Sequence, residues 1–278
     1  KKAFWQAGLP GFSDFTNWKM RTSCRYVMQY ALTGKRLMPI IGSIITYLRI
    51  GLIALVTAWY SIVVLYLAFT GQNKKYFALA RSWSGILLKI AGVELRVHGA
   101  EKLDPHASYV FAANHSSLFD IPVMQHSLAH DIRIIYKKEL EKIPLFGFAL
   151  IKSPYISVER TDPRNAMKSI DEAAEAIREG DSVVVFPEGT RSEDGRLGPF
   201  KRGAFLLAAR AGKPIVPVAV KGTPDIMPKG SKRLKGGRVD VYLGSPIQPP
   251  AEITRSDENR LMDEVRGAIA ERLPEDIR

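Results

Sequence analysis

The segment Asn114-His115-Ser116-Ser117-Leu118-Phe119-Asp120 sets an imidazole base and a carboxylate five positions apart, directly after the apolar run Tyr109-Val110-Phe111-Ala112-Ala113. A base oriented by a carboxylate is the minimum equipment for taking a proton from an alcohol. On a continuous helix, five residues would turn the two side chains roughly 140° apart. They meet only if the chain turns between them, as at a strand-to-helix junction, and Ser116, Ser117 and Pro122 suit such a turn. Asp120 would then fix the tautomer of His115 while the other ring nitrogen accepts a proton. Asp120 alone could equally be a helix N-cap, and His115 a satisfied core histidine. The preceding Asn114 and a second polar segment favour the catalytic reading.

That second segment, Phe186-Pro187-Glu188-Gly189-Thr190-Arg191-Ser192, also follows an apolar run, Val183–Val185. Gly189 permits a tight turn, and the turn amides with Arg191 could hold an anion; an ordinary strand exit with a surface ion pair would look the same. Phe200-Lys201-Arg202-Gly203 opens a helix and adds two cations, a further phosphate cradle. Arg160 ends another strand at the same expected edge. No G-x-S-x-G elbow accompanies the base, so the substrate itself is expected to attack. Walker A and G-x-G-x-x-G sequences are also absent, so nucleotide hydrolysis and dinucleotide binding lack support. His126 and His130 stand at i, i+4 spacing, but with no third ligand nearby no metal is expected. The run Lys229, Lys232, Arg233, Lys235 and Arg238 reads as a solvated basic loop.

These residues must be positioned by regular elements. After Gly92 the pattern becomes alternating strands and helices: strands at 93–98, 109–113, 132–136, 155–158, 182–186, 215–220 and 239–243, and helices at 121–128, 163–179, 204–211 and 256–273, with a short helix or loop at 139–151. Asp162 would cap the helix that Pro163 opens. The order implies an α/β fold, with a mixed, largely parallel sheet flanked by helices and ligands at the carboxyl ends of strands. Both polar segments fall at such ends.

Upstream, residues 21–90 read as helical. Residues 40–69 carry one charge, Arg49, and the uncharged run from Ile50 to Phe69 is about long enough to cross a hydrocarbon core of ~30 Å. Gly42, Arg49 and Gly51 could instead break it into two helices dipping into one leaflet. Lys19, Arg21, Arg25, Lys35 and Arg36 precede it, and Lys74, Lys75, Arg81 and Lys89 follow it, so charge sets no orientation. Residues 1–19 are either an aromatic interfacial segment or sequence ahead of a start at Met20. The expected organisation is an N-terminal membrane-anchoring region, 1–90, and a catalytic domain, 91–278.

The chain has 278 residues, a formal net charge of +12 and a single cysteine, Cys24. No intramolecular disulfide or CxxC zinc site can form, and a reducing compartment fits. The charge favours an anionic partner. The apolar segment points to lipid rather than nucleic acid.

Four segments in order, 114–120, 155–160, 186–192 and Val216-Pro-Val-Ala-Val220, resemble the motif blocks of the glycerolipid acyltransferase family, above all its bacterial-type 1-acyl-sn-glycerol-3-phosphate acyltransferases. The resemblance covers roughly residues 85–250. Its second block departs from the common pattern, with Val158-Glu159 where an aromatic or apolar residue and then Asp or Asn often stand. The resemblance implies His115 as general base with Asp120 as its orienting partner. It implies a glycerophosphate site formed by Arg160, Glu188, Gly189, Thr190 and Arg191, assisted by Lys201. It further implies lysophosphatidic acid as acceptor, an acyl-CoA or acyl carrier protein as co-substrate, no cofactor, phosphatidic acid as product, and a place at the cytoplasmic face of a bacterial inner membrane. Another lysophospholipid or glycerol-3-phosphate as acceptor, or a non-catalytic lipid-binding scaffold, stand as alternatives.

Overall fold

The computed structural model describes the backbone of residues 13–72, 75–159, 163–250 and 253–278, with side chains from Ile41 onward apart from 163–166. Arg160 and Asp162 lie outside the described residues. The chain forms two compact units, Lys1–Leu48 and Arg49–Arg278. The first is helical throughout its described residues. Helix α1 carries the bounds Ser13–Phe69, and neither Gly42 nor Gly51 interrupts it.

In the second unit, α2 (Tyr76–Ala91) leads into seven strands: β1 (Val93–His98), β2 (Val110–Ala113), β3 (Ile132–Lys137), β4 (Ile156–Val158), β5 (Ser182–Val185), β6 (Ile215–Lys221) and β7 (Gly237–Leu243). They form one sheet in the order β1-β7-β6-β2-β5-β3-β4. Every neighbouring pair is parallel except β6 with β7. The sheet is thus mixed and largely parallel, as expected. The helices are α3 (Asp120–Ser127), α4 (Phe146–Ile151), α5 (Pro163–Arg178), α6 (Gly203–Ala211), α7 (Thr223–Ile226) and α8 (Arg255–Ala270).

Strand β2 shows why the sequence reads as it does. All four of its residues are buried, because both faces of the sheet are covered. Phe111 and Ala113 point into one core, with Val123 and Met124 of α3 and Leu88 of α2. Val110 and Ala112 point into the other, with Ile177 of α5, Phe205 of α6 and Val265 of α8. A fully buried phenylalanine such as Phe111 contributes enough that truncation to alanine costs roughly 3–5 kcal/mol. This central strand is therefore a rigid base for the turn that follows it.

Helix α2 belongs to the second unit. It ends at Gly92, where φ of 74° lets the chain reverse into β1. The part of α1 beyond Arg49 packs along α2: Trp83 Nε1 donates to Thr57 Oγ1 at 3.2 Å, and Ile50 and Ile53 reach the core. The single charge of the apolar segment is tied down, with Arg49 Nη1 donating to Ala91 O at 3.4 Å. The outer face, including Leu52, Leu55, Trp59 and Tyr66, is exposed. Ile41–Phe69 is, by length and composition, able to cross a membrane.

Candidate active site

Strand β2 delivers Asn114 and His115 to the carboxyl edge of the sheet, and β5, paired beside it through Val110 with Val183, delivers Glu188 to the same edge. Asn114 continues the ladder with its side chain. Its Nδ2 donates to Val220 O at 2.9 Å and its Oδ1 accepts from Val220 N at 2.7 Å. The residue before the base is thereby locked to the end of β6.

The chain then turns as the spacing requires. Four donors converge on the Asp120 carboxylate, which is fully buried. Its Oδ2 lies 2.7 Å from His115 Nδ1 and accepts from the Ser116 and Ser117 amides at 2.7 and 2.8 Å. Its Oδ1 accepts from Thr223 Oγ1 at 2.5 Å. A carboxylate oxygen facing Nδ1 makes that nitrogen the protonated one, leaving Nε2 as the acceptor. The imidazole is 15% exposed, enough for a substrate to reach it. Phe186 covers one ring face, its centroid 4.0 Å away and 21° from parallel. Asp120 is thus the first residue of α3 and the partner of His115, but it is no helix cap: Phe119 holds the N-cap position without a side-chain cap bond, and the amides on Asp120 belong to the turn before the helix.

Glu188 turns both carboxylate oxygens to backbone amides. Its Oε1 accepts from the His115 amide at 2.7 Å and its Oε2 from the Gly198 amide at 2.9 Å. Burial pushes its carboxyl above the usual range, and these amides pull it back only in part. It joins the loop carrying the base to the loop after β5. The Ser192 amide closes the same junction by donating to His115 O at 2.8 Å.

The cations stand beside this junction. Gly189 adopts φ of 71°, and its amide bonds Phe186 O at 2.9 Å. A Cβ there would sit 2.9 Å from Lys201 Nζ and 3.1 Å from Lys201 Cδ, so the lysine passes close over the turn, and the positive φ favours glycine. The Lys201 amide bonds Pro187 O at 2.8 Å, which sets its position. Among the described residues, neither the Arg191 guanidinium nor the Lys201 ammonium has a carboxylate within ion-pair reach. Thr190 is exposed on the same turn. Arg202, by contrast, is spent on Glu258 of α8.

Three contributors escaped the sequence. Thr223 reaches Asp120 across 103 positions, Phe186 stacks on the base, and Lys229 Nζ donates to Arg191 O at 2.8 Å. Lys229 therefore braces the cationic turn rather than lying free in the basic loop. His126 and His130 share no helix face, because α3 ends at Ser127; each instead has a ring nitrogen facing a carbonyl, Arg81 O and Asp104 O.

Residues 94–221 match the family model described as Acyltransferase. A chloroplastic 1-acyl-sn-glycerol-3-phosphate acyltransferase of Brassica napus is 37% identical over 202 residues, 72% of this chain and 56% of the relative. The human 1-acyl-sn-glycerol-3-phosphate acyltransferase alpha is 32% identical over 203 residues, 73% of this chain and 71% of the relative. The chain spans little more than half the length of the Brassica napus relative and of an Arabidopsis thaliana one, 56% and 54%. The crystal structure of a 1-acyl-sn-glycerophosphate acyltransferase from Thermotoga maritima superposes with a TM-score of 0.70 at 27% identity, covering 84% of this chain and 96% of that one.

Proposed function

The chain belongs to the acyltransferase family that includes the human and Brassica napus 1-acyl-sn-glycerol-3-phosphate acyltransferases, and from that premise we propose that it acylates the free hydroxyl of lysophosphatidic acid to give phosphatidic acid. The observation that carries this reading is the Nδ1 contact of His115 with a four-times-bonded Asp120, which leaves Nε2 open to an alcohol. His115 Nε2 takes the hydroxyl proton as the alcohol oxygen attacks the thioester carbonyl of the donor. The C–O bond forms, the C–S bond breaks, and the thiolate leaves with the proton that His115 returns. The donor is a coenzyme A or carrier-protein thioester.

Arg191 and Lys201 take the phosphate, with Thr190 and the Gly189 turn beside them. Arg160 follows β4, a strand parallel to β3, and joins this set in our reading. Glu188 holds the base loop and leaves the anion to the cations. The apolar helix keeps the chain on a membrane, where a lipid acceptor resides, and a soluble thioester donor then points to the cytoplasmic face. The reaction as written uses no cofactor.

The test crosses several acceptors (lysophosphatidate, other lysophospholipids and glycerol 3-phosphate) with both donor types, using His115→Ala as the blank. Phosphatidate should form from lysophosphatidate and vanish in the variant by about 10²- to 10⁴-fold. Equal turnover by His115→Ala would overturn the assignment.

A further inference from the structure

The connection from β3 to β4 leaves the sheet at the same edge as His115 and Glu188, because β3 runs parallel to β5 and β5 to β2. Within it, Leu140, Ile143, Phe148 and Ile151 are 38%, 44%, 64% and 51% exposed. Isolated exposed apolar side chains are ordinary, but four in twelve residues form a patch. Helix α4 already buries Gly147, Ala149 and Leu150, and a Cβ on Gly147 would lie 2.0 Å from Glu141 O. Leu145, with φ of 64°, is the one non-glycine residue at positive φ among those described, so the segment is held in a strained, specified shape.

Charge selects what covers it. The acids of the segment are occupied: Glu139 pairs with Lys137 at 3.0 Å, and Glu141 accepts from Tyr136 Oη and Ser157 Oγ at 3.0 and 2.8 Å. Lys142, between Leu140 and Ile143, and Lys152, next after Ile151, have no ion pair among the described residues. An apolar patch with a basic rim fits an anionic lipid surface.

Position supports the same occupant. The sheet order places β1 at one end and β3 and β4 at the other, with β2 and β5 between them. Arg49, the first residue of the second unit, bonds Ala91 O where α2 meets β1. The register of β1 with β7, and of β7 with β6, puts that end of β1 on the edge of His115.

We propose that residues 138–152 form a second membrane contact, an anionic-lipid docking surface at the far end of the active-site edge from Arg49, which turns the mouth of the site to the bilayer. Its use in catalysis rests on the function proposed above; the docking itself does not.

The full chain with Cys24→Ser and Phe148→Cys is labelled with an environment-sensitive fluorophore and mixed with phosphatidylcholine vesicles, with or without phosphatidylglycerol, that carry a lipid-borne quencher. Glu179→Cys, exposed just before β5 on the opposite edge, is the reference. Quenching at position 148 should exceed the reference by about twofold or more in phosphatidylglycerol vesicles, and should fall when Lys142 and Lys152 are both changed to Glu. Equal quenching at the two positions overturns the proposal. So does burial of the label by a second copy of the chain without lipid. In a second measurement, Phe148→Glu with Ile151→Glu should slow acylation of long-chain lysophosphatidate in vesicles about tenfold and leave a short-chain, water-soluble lysophosphatidate unaffected. Equal loss on both acceptors overturns the docking role. If the unaltered chain acylates neither acceptor, the proposed function fails and the quenching still decides the docking.

Discussion

The turn after β2 ends with its acid saturated, four donors on one carboxylate, whereas the turn after β5 holds out an arginine and a lysine with no carboxylate in ion-pair reach among the described residues. The first is closed on itself, and under the function proposed above the second is completed by the anion of the substrate. A general base gains from a fixed tautomer and a fixed position, because misplacement raises the barrier directly. A substrate site gains from charges that find their counter-ion only on binding. Glu188 belongs in sequence to the second turn and by its hydrogen bond to the His115 amide to the first, while its other oxygen accepts from the Gly198 amide.

Breaking the closed turn should have the largest effect. In Asp120→Asn an amide group meets four donors, so at least one buried donor loses its acceptor and the imidazole loses its tautomer preference. We expect kcat to fall by about 10²- to 10⁴-fold, and stability by roughly 1–3 kcal/mol; both are read from initial rates and chemical denaturation. Breaking the open turn should act on binding instead. Arg191→Ala removes a charge-assisted contact that only the anion completes, so KM for lysophosphatidate should rise roughly 10- to 100-fold with Tm unchanged. A Tm loss comparable to that of Asp120→Asn would mean that Arg191 is a structural cation after all.

Glu188→Gln sharpens the boundary between the turns. Burial raises the carboxyl of Glu188 in the folded chain. A group raised on folding contributes stability that is present below its unfolded pKa and is lost as pH rises through its folded pKa. Activity runs the other way, because only the ionised form accepts both amides, so the rate should climb with pH across that titration. The variant should lose roughly tenfold in kcat, as expected for one buried amide left without an acceptor, keep its KM, and lose that component of the acid limb. A KM effect without a kcat effect would return Glu188 to the anion site.

What the sequence revealed follows the range of the contacts. His115 and Asp120 are five residues apart, so the geometry of a helix is enough to demand a turn. The strands are legible because parallel strands buried on both faces are almost wholly apolar, as β2 and Val183–Val185 of β5 are. Strand order is another matter. Nothing local tells β1 to pair with β7, or β7 to run against β6. The role of Glu188 hides for the same reason. Beside Gly189 and Arg191 it reads as part of an anion turn, and only the pairing of β2 with β5 aims it at the His115 amide. Lys229 reads as one cation in a basic loop until the fold brings it to Arg191 O.

Thr223 is the smallest and most informative break. It is fully buried, donates to Asp120 Oδ1, and lies 3.3 Å from Ser116 Oγ. It makes no hydrogen bond to the base, so its effect on His115 passes through Asp120 and the Ser116 turn. Thr223→Val keeps the shape and removes the donor. Three donors remain on the carboxylate, and the Nδ1 contact with His115 survives. The expected loss is about 1 kcal/mol of stability, the usual worth of one hydrogen bond, with kcat reduced less than tenfold and KM unchanged. Thr223→Ser should restore both. If Thr223→Val instead matches Asp120→Asn in kcat, the four donors act as one unit and the closed turn fails as a whole when any member is removed; additivity with Glu188→Gln in the double variant would show that the two turns are held independently.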